Sequence, residues 1–176
     1  AILEVKKPFA EIPELLGMAA KNLKNEFEAR GIEGTRLIFG EHMPNQEYLA
    51  RYRCCNLFLD TFPYNAGTTA SDALWAGVPI ITLIGQSFAS RVAASLLNAI
   101  GLPELITNSQ EEYEALAIEL AMNPDKFADL KQKLAINRMT TPLFDTPLFT
   151  KNLEAAYIKM YERYQADLQP DHIVIN

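Results

Sequence analysis

Residues 56–83 read NLFLDTFPYNAGTTASDALWAGVPIITL. Two short apolar runs, Asn56–Leu59 and Val78–Leu83, are strand-like, and between them Thr69–Ala76 has helical composition. Gly77 and Pro79 stop that helix and release the second run. A strand, a helix and a strand within so few residues form the repeating unit of a parallel sheet. In such sheets ligands bind beyond the carboxyl ends of the strands. The loop "NAGTTASD", Asn65–Asp72, falls at such an end.

The same alternation extends in both directions. Upstream, Ile2–Val5 reads as a strand stopped near Pro8. Pro13–Arg30 reads as a helix, with Leu15, Leu16, Ala19, Ala20, Leu23 and Phe27 at helical spacing and Gly31 as its stop. Arg36–Phe39 reads as a strand, and Asn45–Arg53 as a short helix. Downstream, Phe88–Ile100 reads as a helix ending at Gly101, and Glu104–Ile106 as a short fifth strand. The tail is helical. Ser109–Met122 starts on a Ser109-x-x-Glu112 capping box, and Asn123–Pro124 starts the next helix, which Thr141–Pro142 breaks. Leu148–Gln169 closes the chain, with Leu153, Ala156, Tyr157, Met160, Tyr161 and Tyr164 on one side and Pro170 as its end. The predicted fold is α/β: a Rossmann-like parallel sheet with helices on both faces. Its helical tail packs on the sheet or reaches across to another lobe. The rim holds Gly40–Asn45, Asp60–Thr68 and Ile84–Ser87.

Composition narrows the function classes. The chain has 176 residues, 49% hydrophobic and 22% charged, which suits one globular domain spanning residues 1–176. Sixteen Lys and Arg against 22 Asp and Glu give a net charge of −6, which argues against nucleic acid or an anionic membrane as partner. Cys54 and Cys55 are adjacent and read as buried, unpaired thiols in a reducing, cytoplasmic setting. No stretch has membrane-spanning length and no signal peptide is evident. The opening on Ala1 and a strand-like run suggests a piece of a longer protein. His42 and His172 form no metal cluster, Asp-x-Asp is absent, and so are the Walker and Gly-x-Gly-x-x-Gly loops.

Three loops could carry chemistry. At Asn65–Asp72, Gly67 frees the backbone, and Thr68 or Thr69 stands where a helix cap belongs. Unpaired first-turn amides and threonine hydroxyls donate to a phosphate or diphosphate. Thr69-x-x-Asp72 is also a plain capping box, and the two readings are compatible if Thr68 faces the ligand. At Gly85-Gln86-Ser87, Ser87 caps a helix with Arg91 one turn in, either as a donor-facing loop or with Arg91 in an ion pair. At Met43–Tyr48, Tyr48 and Arg51 share a helix face, where they either hold a nucleobase or pack.

The stretch FLDTFPYNAGTTASDALWAGVPIITLIGQSFASRVAASLLNAIGLPELI, residues 58–106, resembles the carboxyl-terminal lobe of the protein O-linked N-acetylglucosamine transferases, in their bacterial TPR-bearing branch. The resemblance continues through TPLFDTPLFT and LEAAYIKMYERYQADLQPDHI and reaches back to ARGIEGTRLIFGEHMPNQEYLARY. It implies the second lobe of a GT-B glycosyltransferase that is metal-independent and inverting. Such an enzyme moves a sugar, N-acetylglucosamine by the resemblance, from a UDP-sugar to Ser or Thr of an acceptor protein. TPR repeats, the first catalytic lobe and a phosphate-binding lysine are expected upstream, since Lys6 and Lys7 do not fit that role. The resemblance assigns the diphosphate to Thr68 and Thr69, the ribose to Asp72, the uracil to the backbone of Met43, and base-facing positions to Tyr48 and Arg51. Gly67 and Tyr48 stand where the animal enzymes carry histidine, and Asn45 where they carry a lysine that reaches the ribose. No catalytic base is expected within the chain. The alternatives are a non-catalytic nucleotide-binding scaffold lobe, or a transferase using a glucose or fucose nucleotide.

Overall fold

The computed structural model describes residues 2–4, 13–40 and 43–175. Val5, Lys6, Lys7, the stop at Pro8 and His42 lie outside them. The chain divides into two compact units, residues 1–55 and 56–176.

In the first unit, β1 (Ile2–Glu4) pairs in parallel with β2 (Ile38–Gly40), joined through α1 (Pro13–Ala29). Gly31 stops α1 as expected. At φ 74° it lets the Ile32 amide reach back to Phe27 and its own amide to Glu28, closing the last turn. The strand expected from Arg36 begins later, because Gly34–Arg36 is a 3-10 turn. The Arg36 and Leu37 amides donate back to Glu33 and Gly34 and are not available to a ladder. The helix expected to run to Arg53 is α2, Asn45–Arg51, followed by a 3-10 turn over Tyr52–Cys54 that buries Tyr52 and leaves Cys54 exposed and Cys55 half-buried, not buried as expected.

In the second unit, β3 (Phe58–Leu59), β4 (Ile80–Leu83) and β5 (Ile106–Thr107) form a parallel sheet in the order β3-β4-β5. Between them lie α3 (Thr68–Trp75) and α4 (Val92–Ala99). Ile80, Ile81 and Thr82 are all fully buried, and successive strand residues point to opposite faces. Both faces of β4 are therefore covered. The fold is α/β with a parallel sheet, as the alternation predicts.

Several boundaries moved, each because a turn consumes the donors a strand or helix needs. β4 does not start at Val78: that amide donates to Ala73 in the closure of α3 at Gly77 (φ 84°), and Pro79 has no amide to give. β3 loses Asn56 and Leu57, its ladder beginning with the Phe58 amide on the Pro79 carbonyl. β5 gives up Glu104 and Leu105 to a 3-10 turn. α4 starts at Val92, not Phe88, because the Ser90 and Arg91 amides close a turn on Ser87 and Phe88.

The tail consists of α5 (Gln110–Met122), α6 (Pro124–Thr140) and α7 (Thr146–Gln165). Ser109 caps α5 through the Glu112 amide at 3.2 Å, and Glu112 reaches back to the Asn108 amide at 2.8 Å. Asn123 caps α6 through the Lys126 amide at 3.1 Å. α5 lies against β4 and β5. α6 covers the carboxyl ends of α3 and α4: Arg138 donates to the Trp75 carbonyl, and Asn137 Nδ2 to that of Ile100 at 2.8 Å. α7 begins earlier than expected, on an Asp145 cap, and ends earlier too. Asp167, at φ 50°, turns the chain before Pro170 is reached. None of the residues of α7 is buried, and Leu153, Tyr157, Met160, Tyr161 and Tyr164 are exposed. Among the described residues no helix is long and apolar enough to cross a membrane.

Candidate functional site

In the second unit the loops after β3 and β4 emerge at the same strand ends. The first carries Asp60–Gly67 and delivers the chain into α3. The helix starts one residue before its expected first position, with Gly67 as N-cap at φ −109°. Thr68 and Thr69 are therefore its first two residues, not its cap, and the first intrahelical bond runs from the Ser71 amide to the Gly67 carbonyl at 3.1 Å. The Thr69-x-x-Asp72 capping box does not form, because Gly67, which has no side chain, already occupies the cap. Asp72 instead lies four residues after Thr68, on the same helix face. Thr68 is exposed, while Thr69 and Asp72 are half-buried. First-turn amides have no acceptor within their own helix and carry the positive end of its dipole. A hydroxyl, the first-turn amides and a carboxylate thus share the start of α3.

The second loop also departs from expectation. Ser87 does not cap α4; its Oγ receives the Ser90 amide at 3.3 Å and meets Ser90 Oγ at 3.0 Å. Arg91 occupies the N-cap position, and its guanidinium donates to the Gly85 carbonyl at 3.0 Å. The loops are joined where the Asn65 amide donates to the Ala89 carbonyl at 3.2 Å. Val92, the first residue of α4, lies against Gly67: a Cβ there would meet Val92 Cγ1 at 3.6 Å. The two helix starts are neighbours.

Sequence reasoning missed what lies beneath this loop. Asp60 is buried, with Oδ1 accepting the Ala66 amide at 2.7 Å and Oδ2 accepting the Thr82 hydroxyl at 2.6 Å. Asn65 Nδ2 donates to Thr82 Oγ1 at 2.7 Å and to the Leu83 carbonyl at 2.9 Å. The Tyr113 hydroxyl, from α5, donates to the Asp60 carbonyl at 3.0 Å. Burial pushes the Asp60 carboxyl above its ordinary value, against the pull of the Thr82 and Ala66 bonds. Burial, with the Asp60 charge beside it, pushes the Tyr113 phenol up to about 12. The available signal was polarity out of place: a threonine inside Ile80-Ile81-Thr82-Leu83 and an aspartate directly after Phe58-Leu59.

The remaining predicted site residues lie in the first unit. Met43 and Tyr48 are half-buried and Asn45 is exposed at the start of α2. Tyr48 packs edge-on against the buried Tyr52, with ring centroids 5.3 Å apart and the two hydroxyls at 2.7 Å. Arg51 lies over the Tyr48 ring at 5.9 Å. Its guanidinium also fills the space beside Gly40, where a Cβ would fall 2.6 Å from Arg51 Nη1. Tyr48 and Arg51 share a face, as their spacing predicts, and each is held by neighbours.

The sequence profile of glycosyl transferase family 41 matches residues 15–153. The chain belongs to that family. It is 42% identical over 148 residues to a probable UDP-N-acetylglucosamine–peptide N-acetylglucosaminyltransferase, SEC, of Arabidopsis thaliana, covering 84% of this chain and 15% of the relative. It is 34% identical over 147 residues to the UDP-N-acetylglucosamine–peptide N-acetylglucosaminyltransferase of Caenorhabditis elegans, covering 84% of this chain and 13% of that protein. The solved structure of a mutant O-GlcNAc transferase of Thermobaculum terrenum superposes with a TM-score of 0.75 at 38% identity, over 82% of this chain and 28% of that one. The family-41 chain therefore spans less than a third of each of these relatives.

Proposed function

We propose that residues 1–176 are the donor-binding lobe of an inverting, metal-independent glycosyltransferase of the bacterial TPR-bearing type. It transfers N-acetylglucosamine from UDP-N-acetylglucosamine to Ser or Thr of an acceptor protein. The observation that carries the reading is the start of α3 at the carboxyl edge of the sheet, with Thr68 exposed and Asp72 on the same face. In this reading Thr68, Thr69 and the first-turn amides hold the diphosphate, with Gly67 leaving the approach open. Asp72 takes the ribose; Met43, Asn45, Tyr48 and Arg51 of the first unit are assigned to the uridine by the sequence resemblance. As the glycosidic bond breaks, the leaving diphosphate gains negative charge. Preorganised amides and hydroxyls then stabilise that charge where a metal otherwise would. The base for the acceptor hydroxyl comes from outside this chain, from the upstream lobe or the substrate. TPR repeats and that lobe precede it in the parent protein, which works in a reducing cytoplasm, in keeping with the free thiols of Cys54 and Cys55.

Calorimetric titration of the chain with UDP tests this. Binding is expected, and Thr68→Ala, removing one bond to a charged group, should weaken it roughly tenfold or more. No heat with UDP, or an unchanged Kd in Thr68→Ala, contradicts the assignment. A preference for guanosine diphosphate would overturn the base. Sugar-nucleotide turnover by the full-length protein separates an enzyme from a scaffold that only binds.

A further inference from the structure

We propose that the buried cluster of Asp60, Asn65, Thr82 and Tyr113 positions the diphosphate-binding start of α3, with ionised Asp60 and the Thr82 hydroxyl as its positioning groups. This rests on the donor-binding reading above and adds residues with no contact to the ligand. Its basis is the direction of each proton. The Leu83 carbonyl can only accept, so the Asn65 side chain must present its NH2 there, and the same nitrogen donates to Thr82 Oγ1. Thr82 Oγ1, accepting that bond, gives its own proton to the bond with Asp60 Oδ2. Oδ1 faces the Ala66 amide, another donor. Both carboxylate oxygens act as acceptors, which ionised Asp60 supplies in full; protonation turns one of them into a donor that competes with the Thr82 or Ala66 bond.

The bonds converge on two positions of the loop. Asn65 is held through its side chain by β4 and through its amide by Ala89; Ala66 is held by Asp60. These two residues immediately precede Gly67, the cap of α3. The Ala66 amide is thus drawn inward one residue before the cap and two before the first helical residue, Thr68. The Tyr113 hydroxyl, from α5, fixes the same strand end at the Asp60 carbonyl. Among the described residues it is the titratable side chain bonded to Asp60, and it stays neutral at the pH values where a carboxyl titrates. Thr82 and Leu83 of β4 and Ala66 of the loop are uncharged. A small displacement of Asn65 or Ala66 would turn the first-turn amides away from a ligand without unfolding the sheet.

The test is calorimetric affinity for UDP-N-acetylglucosamine, whose diphosphate does not titrate between about pH 5 and 8, with melting temperatures recorded alongside. Thr82→Val keeps the shape and removes the hydroxyl; Thr82→Ser keeps the hydroxyl and removes a methyl. The positioning role predicts roughly a tenfold or greater loss of affinity for Val, and for Ser a value within about threefold of the original, although both lower the melting temperature. Wild-type affinity should fall on acidification, and Asp60→Asn should bind weakly with a flat pH profile. Unchanged affinity in Thr82→Val, losses that merely track melting temperature in both variants, or the wild-type pH slope in Asp60→Asn would each overturn the proposal alone. Failure of the wild-type chain to bind the sugar nucleotide would overturn the donor-binding reading and this proposal with it.

Discussion

Gly85→Ala and Gly67→Ala are the same chemical change, one residue from each loop at the edge of the sheet, and the structure gives them different outcomes. A Cβ on Gly85 would lie 2.4 Å from Ser90 Oγ and 2.7 Å from Ser90 Cβ. Carbon contacts settle near 3.5–4.0 Å, so the overlap is about 1 Å. Rotating the Ser90 hydroxyl away breaks its 2.9 Å bond to the Ser87 carbonyl and leaves the Cβ clash in place. The loop itself must shift, pulling on the Gly85 amide to Ser90 carbonyl bond and on Arg91. Overpacking of this kind costs about 1–3 kcal/mol. Replacing glycine also restricts the unfolded chain, which stabilises by about 0.4–1 kcal/mol. At mid-range values the clash wins, and a net loss of about 1.3 kcal/mol is expected. At Gly67 the new methyl meets Val92 Cγ1 at 3.6 Å, an ordinary contact, at negative φ. The entropic term then stands nearly alone, so the change should be within about 0.5 kcal/mol of neutral or stabilising. Urea denaturation followed by circular dichroism measures both. Adding Ser90→Gly to Gly85→Ala should recover part of the loss. A Gly85→Ala chain as stable as the original, or a Gly67→Ala chain less stable than it by more than about 0.5 kcal/mol, refutes the steric reasoning.

Two further predictions follow from burial and ionisation. Leu134 is fully buried on α6, so Leu134→Ala should cost about 2–5 kcal/mol in urea denaturation. Tyr113 stays protonated to about pH 12 in the folded chain, whereas an unfolded tyrosine ionises near pH 10. Its raised value contributes stability fully present below the unfolded value and lost as pH rises through the folded one. The urea midpoint should therefore drop between about pH 10 and 12, and Tyr113→Phe should flatten that drop.

What the sequence made legible is what local chemistry decides. Gly31, Gly77 and Gly101 end helices, and the structure gives each a positive φ. Ser109 and Asn123 are caps within three residues of the amides they receive. Apolar runs alternating with helices predicted the parallel sheet. Errors arose where two local rules competed. Thr69 was a plausible cap, but Gly67 took that place; Ser87 looked like the start of a helix, but its hydroxyl closes a turn. The residues beneath the loop were not legible as a group. Asp60 joins Thr82 across 22 positions and Tyr113 across 53, and no local spacing announces such a pairing.

The claim on which the account turns is that the first turn of α3 receives a nucleotide diphosphate. Amide chemical shifts of the isotopically labelled chain, followed while UDP is added, test it most directly. The account predicts that the largest saturable shifts fall on Gly67, Thr68, Thr69 and Ala70, with the α6 amides unmoved. Saturable binding that leaves those four amides in place, with its shifts elsewhere, would contradict it.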